Sequence, residues 1–196
     1  MSTSLVVRLV RPVAALVGVM LLTQATVSIT SPTTAATMQS RTSSCAGYAF
    51  QPLDSDTYAG FTPEGVRYGA TTGGGSGIFI CDPKLPNRAV VTSIRFVLWD
   101  DTSSGEITDC GLYRTGTTDS SGPRVVRMGL APATGLNARR GRIAVSDSTI
   151  SSATVNTSSW AYWFQCQVHF PVEEGRRFDA GIISGHVTYR VDPTKA

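Results

Sequence analysis

Four acidic residues form the densest cluster of chemically capable side chains in this sequence: Asp100, Asp101, Glu106 and Asp109. Carboxylate oxygens grouped at the edge of a β-sandwich are typical calcium ligands in extracellular domains. The spacing does not match the EF-hand loop, and a solvated hairpin turn would use the same residues. The cluster is also the only candidate for a glycosidase carboxylate pair, which must flank a sugar cleft. We therefore predict no cofactor, with calcium as the one alternative.

The two histidines, His169 and His186, offer acid–base chemistry. Each lies on the polar side of an alternating stretch, so the two imidazoles would form a small metal or proton-transfer site if their strands were neighbours. Solvated side chains on a sheet surface are the alternative. Neither G-x-S-x-G nor H-E-x-x-H occurs, and the glycine-rich stretch 73–77 precedes a predicted strand rather than a helix. We predict no catalytic residues.

Tryptophan side chains suggest a different chemistry, the stacking of aromatic planes on sugar rings. Trp99 follows the apolar Leu98, and Trp163 precedes the apolar Phe164. The alternation therefore predicts both tryptophans on the polar side of their strands. Packing against the edge of the core is the competing fate of large aromatic residues. A binding module would expose Trp99 and Trp163 on one face.

The first 36 residues carry the parts of a secretory signal peptide. Arg8 and Arg11 precede an apolar run of about ten residues, and small residues follow up to Ala36. That run is shorter than the roughly 20 residues that span a bilayer, although a retained anchor is the alternative. The sequence thus predicts a secreted protein, extracellular or at the cell surface, with cleavage after Ala36 preferred to cleavage after Ala25.

Four cysteines follow this leader: Cys45, Cys81, Cys110 and Cys166. An even number in an exported chain favours disulfides, and no two have the short spacing of structural zinc ligands. Cys110 and Cys166 both alternate toward the apolar side of their strands. We therefore predict that these two pair, on neighbouring or facing strands. Cys45 would then bond Cys81 and tie down the N-terminal segment.

Short alternating segments separated by Gly, Ser, Thr, Asn and Asp indicate the fold. The predicted strands are 66–69, 77–81, 90–99, 107–114, 125–130, 142–145, 162–170 and 182–191. In the last strand, Ile183, Val187, Tyr189 and Val191 are predicted to face the core. No stretch has a sustained helical period.

About eight short strands in one domain predict an all-β, antiparallel two-sheet sandwich, jelly-roll-like or Greek key, with little helix. The predicted organisation is a signal peptide at 1–36, an N-terminal extension tied by a disulfide at 37–65, and a single β-sandwich domain at 66–196.

Residues 85–191 resemble a recurrent, largely uncharacterised module of bacterial secreted and cell-surface proteins. The resemblance lies in Leu85-Pro86, Val91–Phe96, Cys110–Arg114, Val145–Asn156, Trp160–Trp163 and Val187–Tyr189. In that module a proline precedes a "VTS" strand, and "LYR", "SDSxI…ATV(D/N)" and "YAYY" segments follow. The resemblance implies a β-sandwich outside the cell and no catalytic residues. Cys110 and Cys166 depart from the pattern, which suggests a disulfide-linked variant.

The net charge of the protein limits which classes of partner we predict. The chain has 17 Lys and Arg against 14 Asp and Glu, and loss of Arg8 and Arg11 with the leader leaves 15 against 14. A near-neutral protein has no net electrostatic attraction to nucleic acid or to a membrane, so neither is predicted as a partner.

Three functions remain. A non-catalytic binding or structural protein that recognises a cell-surface glycan or protein is favoured. A secreted hydrolase with a shallow carboxylate or histidine site is the first alternative. A secreted inhibitor or effector, which would carry a large exposed apolar patch, is the second. The specific ligand and the oligomeric state are not predicted.

Overall fold

The computed structural model describes residues 37–53, 57–61, 67–71, 75–100, 107–117, 124–132, 141–170 and 180–194. The predicted leader, Asp101 and Glu106 lie outside these ranges. Within them the chain forms eleven strands: β1 Gln39–Ala46, β2 Gln51–Pro52, β3 Thr57–Phe61, β4 Arg67–Thr71, β5 Gly75–Cys81, β6 Val90–Asp100, β7 Ile107–Gly116, β8 Val125–Pro132, β9 Gly141–Asp147, β10 Trp160–Phe170 and β11 Ala180–Val191. The helix found there is the short 3-10 turn Gly47–Ala49, and none is long and apolar enough to cross a membrane.

The strands pair in a nested pattern. β7 pairs with β8, β6 with β9, β5 with β10 and β4 with β11, always antiparallel. The nesting produces one sheet in the order β4-β11-β6-β9 and a second in the order β5-β10-β7-β8. This is the jelly-roll arrangement of a two-sheet sandwich, and it confirms the predicted fold class. β3 and β1 complete a six-stranded sheet, and β2 completes a five-stranded one.

The core lies between the two sheets and follows the alternation of the strands. In β10, Phe164, Cys166 and Val168 are at most 1% exposed, whereas Gln165 and Gln167 between them are partly exposed. In β6 the same alternation buries the inward residues Ile94, Phe96 and Leu98. Period-2 burial of large apolar residues is what holds two sheets face to face.

The segment predicted as an N-terminal extension is instead part of the sandwich. β1 pairs with β11 over its whole length, from Gln39 opposite Val191 to Ala46 opposite Ser184. Gln39–Ala46 is mostly polar, so its sequence gives no alternating signal. It forms a strand nevertheless, because ladder hydrogen bonds come from backbone groups that almost every residue offers.

An irregularity in β11 corrects the predicted orientation of Ile183. The register against β6 shifts between Ile182 and Ser184. Ile182 is therefore the buried residue, 1% exposed, while Ile183 is partly exposed and Val187 is buried as predicted. An extra residue at a β-bulge inverts the alternation, so a strict period-2 pattern assigns residues on one side of it to the wrong face.

Both predicted disulfides are present. Cys110 and Cys166 lie directly opposite each other on the paired strands β7 and β10, with their Cα atoms 4.1 Å apart. Cys45 of β1 bonds Cys81 of β5, with a Cα–Cα distance of 6.4 Å. The first bond therefore joins neighbours within the five-stranded sheet, whereas the second links the two sheets.

Asp147 links the two sheets at the open edge formed by β8 and β9. One oxygen of its carboxylate accepts a hydrogen bond from the backbone N–H of Leu130 in β8 at 2.9 Å, and the other accepts from the Thr149 N–H at 2.7 Å. Partial burial raises the pKa of Asp147, but the hydrogen bonds from Thr149, Leu130 and Ser148 outweigh it and hold the pKa below its usual value. The ionised carboxylate is thus the form that suits the folded state.

We expect Asp147→Asn to make the free energy of unfolding less dependent on pH in the acidic range. A carboxyl group with a lowered folded-state pKa stabilises the protein above its unfolded-state pKa, and that contribution disappears as pH falls through the folded value. The variant should therefore be less stable than the parent near neutrality, and the difference should shrink as pH falls below about 4, the pKa of an unfolded aspartate, and through the lower folded-state pKa. Urea unfolding across that range measures the difference; a gap that stays constant with pH would contradict the assignment.

Candidate functional site

The two tryptophans singled out in the sequence do not share a face. Trp99 belongs to β6 of the six-stranded sheet, and Trp163 belongs to β10 of the five-stranded sheet. Trp99 follows the buried Leu98, Trp163 precedes the buried Phe164, and both tryptophans are partly exposed. Each therefore lies on the outward side of its own sheet. The expectation of a single face carrying both residues was wrong, because alternation determines the side of a strand but not the sheet to which the strand belongs.

An aromatic pair occupies the outward face of the five-stranded sheet. Tyr113 of β7 stands directly opposite Trp163 of β10. Their rings are nearly parallel, with an interplanar angle of 18° and centroids 6.1 Å apart. Both side chains are partly exposed. Two nearly parallel, stacked aromatic rings therefore lie on neighbouring strands, each with part of its surface open to solvent.

Gly111 makes room for this pair. A Cβ atom at position 111 would lie 2.9 Å from the Tyr113 ring and 2.7 Å from the carbonyl oxygen of Gly129. Such contacts are closer than carbon atoms tolerate, so the Tyr113 ring rests over a position that only glycine leaves free. The absence of a side chain at Gly111 thus sets the position of the tyrosine ring on the sheet.

Polar groups surround the aromatic pair. The Trp163 Nε1–H donates to Oε1 of Gln165 at 3.3 Å, two residues further along β10. Burial raises the pKa of the Tyr113 phenol, the hydrogen-bonded Arg127 opposes the rise, and Asp109 adds to it. The phenol is therefore neutral at pH 7 and retains its hydrogen-bonding capacity. Gln167, opposite Asp109, continues the same face.

We name this surface the aromatic face. It consists of the outward residues of β10 and β7 with the neighbouring residue of β8: Tyr113, Trp163, Gln165, Gln167, Asp109 and Arg127. An aromatic surface bordered by a few amide and charged groups is the usual composition of a small-molecule binding site. Amides and guanidinium groups match ligands with many hydroxyl groups, because they donate and accept in fixed directions.

Trp160, close in sequence, does not contribute to this face. The Arg114 guanidinium lies over its ring, 4.2 Å from the centroid, and the ring packs against the hydrophobic core. Trp160 and Trp163 belong to one sequence motif, but they are three residues apart. Residues an odd number apart on a strand point to opposite faces of the sheet.

The two described residues of the acidic cluster lie in different sheets. Asp100 ends β6 in the six-stranded sheet, whereas Asp109 lies in β7 of the five-stranded sheet. β6 and β7 therefore do not pair as a hairpin, which corrects the predicted hairpin turn. Among the residues that the structure describes, no three His, Cys, Asp or Glu side chains are grouped closely enough to hold a metal ion. Calcium at this segment remains a prediction, since Asp101 and Glu106 lie outside the described residues.

The two histidines are also separated. His169 lies on β10 and His186 on β11, strands of different sheets, and each bonds its own serine. Nδ1 of His169 is 3.0 Å from the Ser76 hydroxyl, and Nε2 of His186 is 2.8 Å from the Ser184 hydroxyl. The histidine form of the hydrolase alternative requires the two imidazoles at one point, and the two sheets keep them apart. Its carboxylate form, which pairs Asp101 with Asp109, is not tested, because Asp101 lies outside the described residues.

We expect Arg95→Gln to raise the pKa of His186. Burial lowers that pKa, and the positive charge of Arg95, directly opposite on β6, lowers it further. Removing the charge leaves burial alone, so the pKa should move toward the ordinary histidine value. An NMR titration of the imidazole C–H signals measures the shift. Arg142→Gln, on β9, is the matched control, and an unchanged pKa in Arg95→Gln would refute the electrostatic cause.

Comparison with known proteins does not assign this chain to a family. No protein-family model matches the sequence, and no curated protein does. One solved structure of similar shape is the CBM22-2 xylan-binding domain of Paenibacillus barcinonensis Xyn10C, at 10% identity and a TM-score of 0.41 over 77% of this chain and 96% of that chain. Another, of carbohydrate-binding modules from the β-sandwich superfamily, has 11% identity and a TM-score of 0.36 over 76% and 54%. Similarities this low carry no argument about the ligand, which must come from the site itself.

Proposed function

We propose that this protein is a secreted, non-catalytic β-sandwich that binds a glycan through its aromatic face. The observation that carries the proposal is the parallel pair Tyr113 and Trp163, which are partly exposed on neighbouring strands. Exposed aromatic planes are costly to leave against water and are typical of surfaces that bind a ligand. A sugar ring, with an apolar face and a polar edge, suits such planes bordered by Gln165, Gln167 and Arg127.

Secretion is supported by two independent features. The N-terminal leader has the layout of a signal peptide. The disulfides Cys45–Cys81 and Cys110–Cys166 account for all four cysteines, and disulfides persist in oxidising compartments.

A binding role suits the chemistry of the face better than catalysis does. Asp109 is the one described carboxylate among the outward residues of the aromatic face, and glycoside hydrolysis ordinarily requires two. The nearest histidine on the same strand, His169, bonds Ser76 beyond the far end of the face. A rigid sheet carrying fixed aromatic rings favours recognition, because little conformational freedom is lost on binding.

The test is depletion of the purified, oxidised protein from solution by insoluble polysaccharides and cell-wall preparations. We expect saturable depletion by at least one of them and a dissociation constant at least tenfold larger for Trp163→Ala, since buried aromatic contacts dominate binding energies. Trp99→Ala is the matched control, because it removes the same side chain from the opposite face. No depletion by any preparation, or equal depletion by both variants, would refute the proposal.

A further inference from the structure

Three arginines form a diagonal across the outward face of the six-stranded sheet. Arg190 lies on β11, Arg95 on the adjacent β6, and Arg142 on β9 beyond it. All three are exposed, and in each strand the neighbouring residues Tyr189, Phe96 and Ile143 are buried. The guanidinium groups therefore extend from the same side of the sheet. We name this set the arginine diagonal.

The register fixes the spacing of the diagonal. Arg95 stands opposite His186, and His186 precedes Arg190 by four residues on β11. Arg142 stands opposite Trp99, and Trp99 follows Arg95 by four residues on β6. Four residues advance a strand by about 13 Å, and neighbouring strands are about 4.8 Å apart. Because both steps run in the same sense, the three arginines lie on one line that crosses three strands at nearly equal intervals.

In the described part of the chain, the carboxylate next to the diagonal is that of Asp192, two residues beyond Arg190. Asp147, at the end of β9, directs its carboxylate to Leu130 and Thr149. Asp192, just beyond β11, accepts hydrogen bonds from the Thr194 N–H and hydroxyl. The ion pair found among the described residues joins Lys84 to Asp82, away from this sheet. The described part of this face therefore carries more positive than negative charge, although the net charge of the protein is near zero.

Hydroxyl groups flank the middle of the diagonal, whereas Val97 and Ala144 stand opposite each other between Arg95 and Arg142. The central row across the sheet runs Ser44, His186, Arg95, Ser146, each opposite the next. The Ser184 hydroxyl joins this row through its hydrogen bond to His186. The face thus combines fixed positive charges with hydroxyls.

We propose that the arginine diagonal binds an extended anionic polysaccharide, a chain that carries carboxylates at regular intervals. Guanidinium groups pair with carboxylates in a two-bond geometry, and three of them on one line suit a linear polyanion. The serine hydroxyls in the row of Arg95 suit the sugar hydroxyls between the charges. A membrane fits less well, because the large apolar residues that are exposed in the described chain, Met38, Tyr48, Leu53 and Val125, lie outside the strands of this face or on the other sheet.

The test uses polygalacturonate as the probe and its methyl ester as the uncharged control. We expect the folded protein to bind polygalacturonate at low ionic strength and to bind more weakly at about 0.15 M salt, since screening weakens exposed charges. The triple variant Arg95→Gln, Arg142→Gln, Arg190→Gln should bind at least tenfold more weakly. The variant Lys84→Gln, Arg88→Gln, Arg124→Gln loses the same charge elsewhere and should bind like the parent. Thermal unfolding of each variant verifies that all three proteins are folded.

Four outcomes would overturn the inference. They are absence of binding, equal binding of both triple variants, equal binding of the methyl ester, and tighter, arginine-dependent binding of DNA or of phosphatidylglycerol vesicles. The aromatic face is tested separately, because Trp163→Ala should leave polygalacturonate binding unchanged. If the arginine diagonal does not bind polygalacturonate, the proposal of glycan binding at the aromatic face is unaffected. If the aromatic face does not bind a glycan, the proposal for the diagonal is unaffected.

Discussion

Replacing Cys45 and Cys81 together by alanine is expected to lower the free energy of unfolding by about 4 kcal/mol. The bond closes a loop with a sequence separation of 36 residues, and the chain-entropy estimate for a loop of this length gives that value. It also joins the two sheets directly, from β1 to β5, and both residues are buried. Without it, β1 is held to the fold by its ladder with β11, by the hydrogen bond from the Ser43 hydroxyl to the Pro83 carbonyl and by its packing.

Urea unfolding of the double variant measures this loss, and the double variant Cys110→Ala, Cys166→Ala is its counterpart. The second bond closes a longer separation of 56 residues, so we expect a loss of similar size. Double variants are needed because a single substitution leaves a free thiol in the core. If chemical reduction of the parent left the unfolding midpoint unchanged, the stabilising role of both bonds would be disproved.

Phe164→Ala is expected to destabilise the protein by about 3–5 kcal/mol, the usual effect of deleting a buried phenylalanine side chain. Phe164 is fully buried at the centre of β10. Its ring stacks on Phe50 with centroids 6.5 Å apart and meets the edge of Phe96, on the other sheet, at 5.1 Å. The substitution therefore opens a cavity at the point where the two sheets meet.

Gly185 provides the control for this prediction. A Cβ atom there would lie 3.0 to 3.1 Å from the rings of Phe96, Phe164 and Phe50, so Gly185→Ala alone should destabilise the core by crowding. In the Phe164→Ala background one of these contacts is gone, and the added methyl group should cost less. Denaturant unfolding of both single variants and the double variant measures this coupling. Additive effects would contradict the packing described.

The sequence predicted those parts of the fold that depend on local alternation. The inward residues of β6 and β10 and the partners of all four cysteines follow from period-2 patterns and an even cysteine count. β1 was missed because an edge strand of polar residues has no such pattern. The orientation of Ile183 was wrong because one extra residue in β11 inverts the period.

The candidate sites depend on the strand register, that is, on which residues of neighbouring strands stand opposite each other. A local sequence pattern does not reveal this pairing. Trp99 and Trp163 have the same relation to their own strands, yet nested pairing places β6 and β10 in different sheets. Tyr113 stands beside Trp163, and Arg142 stands in line with Arg95, only because residues far apart in sequence pair at those positions. A sequence signal for the aromatic pair existed in the outward placement of Tyr113, but its partner could not be identified before the strand order was known.

The most direct test of glycan binding at the aromatic face is an NMR titration of the three tryptophan indole N–H signals with a soluble fragment of the polysaccharide that depletes the protein. The proposal predicts that the Trp163 signal shifts progressively and saturates. The signals of Trp99, on the opposite face, and of Trp160, packed beneath Arg114, should stay in place. Saturable binding in which Trp163 does not move while another indole does would contradict the proposal and locate the ligand elsewhere.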